Sequence, residues 1–190
     1  MNTKVLATTI IFAALTVALN PAISGIGVPA PYAPYLIYGL WEIPIVTAFL
    51  LISPASAIAI AVLNSAVLFA VFPGVLPTGP FYNLIAVSAT LFGLYMARKF
   101  VKNGTSKPKK ELKIAATSTI IAIILRVMVM TLVNYVTLQQ PYPIGFELPE
   151  IQVIATLPFT AIFNGTVVLY IIPIGEFIAK VVKSRLKLEG

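Results

Sequence analysis

Long apolar runs broken by short polar connections set the rhythm of the chain. Six runs stand out, at residues 4–20, 34–52, 54–72, 79–97, 114–138 and 151–179. Each has about 17 residues or more, enough at about 1.5 Å of rise per residue to cross most or all of a hydrocarbon core. The pattern predicts an all-α integral membrane protein, a single domain over residues 1–190 with six transmembrane helices. Almost nothing separates runs two and three, so they are expected to form a tight helical hairpin. Run one has a signal-peptide-like core after Lys4 but lacks a small-residue cleavage site, and is expected to be retained.

Composition agrees with the pattern and narrows the chemistry. Hydrophobic residues make up 59% of the chain and charged residues 10%, against about 25% charge in a soluble domain. Mean hydropathy is +0.98. Cysteine, histidine and aspartate are absent, which removes disulfides, thiolate chemistry, the usual metal ligands and a Ser-His-Asp triad. The net charge of +7 reads as a topology signal, not as nucleic-acid affinity. Of the basic residues, only Arg126 lies in the interior of a run. Lys4 stands at the very start of the first run, while Arg98, Lys99, Lys102, Lys107, Lys109, Lys110 and Lys113 fill the fourth connection. Lys180, Lys183, Arg185 and Lys187 follow the last run. Six spans put all of these on one side, which the positive-inside rule makes the cytoplasm of a multi-pass protein of the cell membrane, with both termini inside. The inner loop would lie near anionic lipid, and the Asn103-Gly-Thr105 sequon, being inside, is set aside.

The outer connections at 21–33, 73–78 and 139–150 hold no basic residue. PAISGIGVPAPYAPY and QQPYPIGFELPE are rich in proline and tyrosine, and the second adds Glu147 and Glu150. Such loops form either a lid over a site or an interfacial anchor.

Inside the runs, polar residues carry the candidate chemistry. A central arginine such as Arg126 costs about 2.5–3.5 kcal/mol to insert on translocon scales, so a partner is required. Glu42, eight residues and so about 12 Å into the second run from its outer end, is the acid closest in depth, since Glu176 falls at the inner end of the sixth. The two are expected to pair, as part of a site or only to fix packing. Asn83, Asn134 and Thr160 share the outer half, with Trp41, Tyr38, Tyr82 and Tyr135 at neighbouring levels, while Asn64 and Asn164 lie nearer the centre. Amides on several helices favour a cavity open to the outside, suited to an uncharged or weakly charged heteroaromatic solute. Ala7, Ala14 and Ala18 on the first run permit close helix approach, either within the protein or against a second membrane protein.

These stretches, taken in order, resemble the substrate-binding S components of energy-coupling factor (ECF) transporters, the riboflavin type above all. PAPYAPYLIYGLWEIPIVTAFLLISPASAIAIAVLNS looks like the family's first outer loop, acid-x-Pro helix and short turn. TGPFYNLIAVSATLF looks like its next helix, with Asn83 as the opening asparagine. MTLVNYVTLQQPY is the most specific match, with Asn134 and Tyr135 at the family's Asn-Tyr, and LPFTAIFNG is similar to the last helix. The resemblance implies a vitamin-capturing membrane subunit without ATPase or other enzymatic activity, whose site lies near the outer surface under the first loop. It would hold no cofactor or metal, riboflavin or a related vitamin being cargo. Its partners would be a transmembrane coupling protein, docked on the small-residue face of the first helix, and two cytoplasmic ATPases. The chain departs from the pattern at Thr160, at Phe163 or Asn164 where the family carries lysine, at Asn64 where a basic residue is common, and at Arg126. Another vitamin or heterocyclic precursor, or a self-sufficient permease, is the alternative. An intramembrane enzyme would have only Glu42 and Arg126 to work with.

Overall fold

The apolar runs form helices whose boundaries differ from the expected spans in one important place. The computed structural model describes residues 3–71, 75–101 and 108–186. Lys102, Lys107, Lys187, the side chains of Lys109 and Lys110, and the Asn103–Thr105 sequon lie outside the described residues, as does part of the 73–78 connection. The elements are α1 (Thr3–Leu19), α2 (Pro21–Ser24), β1 (Val28–Ala30), β2 (Ala33–Tyr38), α3 (Glu42–Leu51), α4 (Pro54–Val71), α5 (Gly79–Val101), α6 (Pro108–Thr137) and α7 (Glu150–Leu186). Four helices, α4 to α7, are long and apolar enough to cross a membrane, while α1 has 17 residues and α3 only 10.

The expected second span, 34–52, is therefore not one helix, and the architecture is not purely helical. Its first part is β2, which pairs antiparallel with β1 (Val28 opposite Tyr38, Pro29 opposite Ile37, Ala30 opposite Ala33). Gly39 breaks the strand, and the helix begins only at Glu42. At about 1.5 Å per residue α3 covers about 15 Å, half a bilayer core. Every residue from Glu42 to Phe49 is buried, as expected of a helix apolar on all sides. It is the axis of the core, flanked by α7, α4 and α1. Two glycines permit close approach between helices. A Cβ on Gly175 of α7 would stand 2.7 Å from Val46 Cγ1, and one on Gly93 of α5 would stand 2.6 Å from the Ala122 Cα of α6.

Apart from Arg126, the described basic residues gather at one end of the bundle. Arg98 at the end of α5 binds Glu176 of α7 at 2.9 Å, and the cleft beside them takes in Leu50 of α3, Ile114 of α6, Lys180 and Lys183. The start of α1 is near the same end, because Thr9 donates to Ser56 at the start of α4 (3.3 Å). Helix α3 thus fills the half of the bundle nearer the basic end, and the β1–β2 hairpin lies toward the other half.

Candidate functional site

Arg126 lies near the middle of α6, about 20 Å from Lys113 and 17 Å from Thr137 along the axis. Its side chain is almost completely buried, and its guanidinium meets partners from three elements. Nη1 and Nη2 grip both oxygens of Glu42 (2.5 and 2.9 Å), Nη1 also donates to Thr90 Oγ1 of α5 (3.2 Å), and Nε donates to Asn164 Oδ1 of α7 (2.9 Å). Asn164 is held in turn by donating from Nδ2 to the Thr160 carbonyl (2.9 Å). A bidentate pair with further polar contacts is the arrangement that offsets desolvation of two charges. Glu42 reaches Arg126 because it opens α3, where its charge also faces the favourable end of the helix dipole. The expected pairing is therefore present, but Glu42 arrives at mid-depth by starting a half-length helix and not by lying inside a full one.

Beside this pair is a cavity of about 350 Å³. Trp41, Glu42, Asn83 and Arg126, all expected site residues, line it. Phe163 and Tyr170 of α7 add aromatic surface, β2 contributes the wall from Tyr35 to Ile37, and Asn20 and Pro21 close the side next to α1. The hairpin is held against α7 by rings. Tyr38 packs on Phe163 (centroids 4.8 Å apart) and edge-on to Tyr170 (6.4 Å), and Tyr32 stacks on Phe159 (6.1 Å). Tyr170 also donates to the Gly39 carbonyl at 2.7 Å, fixing the point where strand gives way to helix. The Tyr32 and Tyr38 hydroxyls meet at 2.5 Å.

Other expected residues fall elsewhere. Thr160 is buried and bonds to the Thr156 carbonyl, contributing to the site through Asn164. Asn134 donates to the Met130 carbonyl of its own helix (2.7 Å). Tyr135 donates to Glu150 (2.6 Å) and Tyr82 to the Ile144 carbonyl (2.5 Å), so both hydroxyls hold the 139–150 connection in place. Asn64 on α4 is fully buried with neither amide atom bonded to the protein, and does not line the cavity. Ala7, Ala14 and Ala18 are exposed beside Ile10, Ile11 and Leu15, while Ala13 and Thr16 turn inward. The alanine stripe thus lies on the outer surface of the protein.

Sequence reasoning missed Asn20, Thr90 and Tyr170. Asn20 ends an apolar run just before a proline, the signature of a cap, and its Oδ1 does accept from Ala22 N at 3.1 Å. The signal for Tyr170 is its spacing of seven from Phe163, which puts both rings on one helix face.

No family model and no curated protein matches the chain. Among solved structures it is similar to the S component of a bacterial ECF transporter, with 25% identity, coverage of 98% of this chain and 99% of that chain, and a TM-score of 0.75. The chain is a mostly helical, multi-pass membrane protein with the fold of that S component.

Proposed function

We propose that the protein is the substrate-capturing subunit of an ECF-type importer and that riboflavin is its cargo. The observation that carries this reading is the fold shared with an S component over nearly the whole of both chains. The cavity supports it, since its rings and a few fixed polar groups suit one small planar solute. The protein catalyses no reaction of its own. It joins a transmembrane coupling protein and two cytoplasmic ATPases, docking through the exposed Ala7, Ala14 and Ala18 face of α1. Six segments cross the cell membrane, the second being the hairpin followed by α3, and both termini are cytoplasmic because the basic end faces inward. A different vitamin or heterocyclic precursor is the second reading, favoured by Arg126 and by Phe163 or Asn164 where the riboflavin pattern has lysine.

The test is the absorbance and fluorescence of protein purified in detergent, before and after denaturation. A flavin spectrum released at about one per chain is expected, on the premise of a single cavity. A colourless protein that also fails to quench added riboflavin overturns riboflavin as cargo, and mass spectrometry of extracted solutes then identifies the ligand class.

A further inference from the structure

The polar groups around the cavity are not equally available. Arg126 and Glu42 neutralise one another through two hydrogen bonds, and among the described residues no other Asp, Glu, Lys or Arg lines the cavity. Of the guanidinium's five N–H groups, four already have protein partners. Both Glu42 oxygens are taken. Asn20 is different. It is only 4% exposed and lines the cavity, yet its Nδ2 has no partner among the described residues. Its orientation is fixed, because Oδ1 must face Ala22 N to cap α2. Asn20 thus lines the cavity, and the half of its amide left without a partner is the donor and not the acceptor. Leaving a buried donor without a partner is unfavourable, so a ligand that satisfies it is favoured over one that does not.

We propose that Asn20 is a ligand-binding residue and that the cavity selects an uncharged planar heterocycle that turns a carbonyl or ring-nitrogen acceptor toward Asn20 Nδ2. Arg126, which also lines the cavity, keeps one N–H beyond the four that are engaged. A ligand with a net charge would enter without a counter-ion, since the one available pair is closed on itself. A ligand edge bearing only donors would leave Asn20 unsatisfied. This deepens the capture reading and rests on it, but it does not depend on riboflavin being the cargo.

The test compares wild type with Asn20→Ser and Asn20→Asp. Both keep an oxygen for Ala22 N and remove the amide donor, so the thermal midpoint without ligand checks the cap separately from binding. Riboflavin is titrated by fluorescence quenching, and uracil, hypoxanthine and nicotinamide by thermal shift, with thiamine and nicotinate as charged counterparts. The expected result is that wild type binds at least one neutral probe and excludes the charged ones, while each variant binds that probe about tenfold more weakly or worse. If Asn20→Asp fails to fold, Asn20→Ser decides. Failure of riboflavin alone, with a neutral probe bound through Asn20, rejects riboflavin and keeps the inference. Variants that bind like wild type, a preference for a charged probe, or a wild type that binds no neutral probe would each overturn it.

Discussion

Removing the Arg126 guanidinium leaves the Glu42 carboxylate buried beside Asn164 and Thr90 without its counter-charge. Arg126→Met is therefore expected to destabilise the protein by about 3–5 kcal/mol. Arg126→Met combined with Glu42→Leu should recover a substantial part of that loss, because the double variant buries no lone charge. Thermal midpoints of the two single variants and the double variant in detergent give the coupling. Equal losses in Arg126→Met and in the double variant would show that the pair contributes little beyond packing. The partnership was legible in the sequence for an elementary reason: Arg126 needed an acid, and Glu42 was the one acid near it in depth. The route was not legible, since the depth assigned to Glu42 assumed a helix through residues 34–41. Asn20 escaped notice for the opposite reason. Its role as a cap is visible in the sequence, but the free half of its amide is visible only once the cavity is.

At the scale of elements, the principal surprise is the divided second run. Over five to eight residues an apolar strand and the opening of an apolar helix have the same composition, so PYLIYGLWEIP reads as one segment. Gly39 was the available break signal, and its meaning depended on Pro21, whose ring lies where a Cβ at position 39 would have to go. The long helices gave clearer signals, and α4 to α7 fall close to the expected runs. Their contacts rest on small residues. At Gly175 even a methyl group would collide with Val46, so Gly175→Leu should separate α7 from α3 and cost about 1–3 kcal/mol. The measurable sign is a lower thermal midpoint together with weaker ligand retention, since Phe163 and Tyr170 ride on the same helix. A variant with an unchanged midpoint would mean that the α3–α7 contact relaxes freely.

For the whole molecule, the distribution of exposed residues separates two surfaces with different tasks. The cavity and its hairpin wall lie away from the basic end, while α1 shows the outside an apolar stripe containing Ala7, Ala14 and Ala18. On the proposed function these are independent. Ala14→Trp is expected to leave ligand binding by purified protein intact and to abolish uptake in cells that contain the coupling protein and ATPases. Surviving uptake would move the docking face elsewhere. That α1 carries close-approach spacing was readable from the chain. Which way the alanines face was not, because residues apolar on every side show no preferred face until neighbours claim one.

The bond between Glu42 and Arg126 joins positions 84 residues apart in the chain. During synthesis the acid emerges long before the arginine, and Asn164 later still. Until α6 is in place Glu42 lacks its counter-charge, and α3 has only its packing against α1 and α4. The contacts that complete the most buried helix of the protein therefore come from the two C-terminal helices, the last parts of the chain to be made.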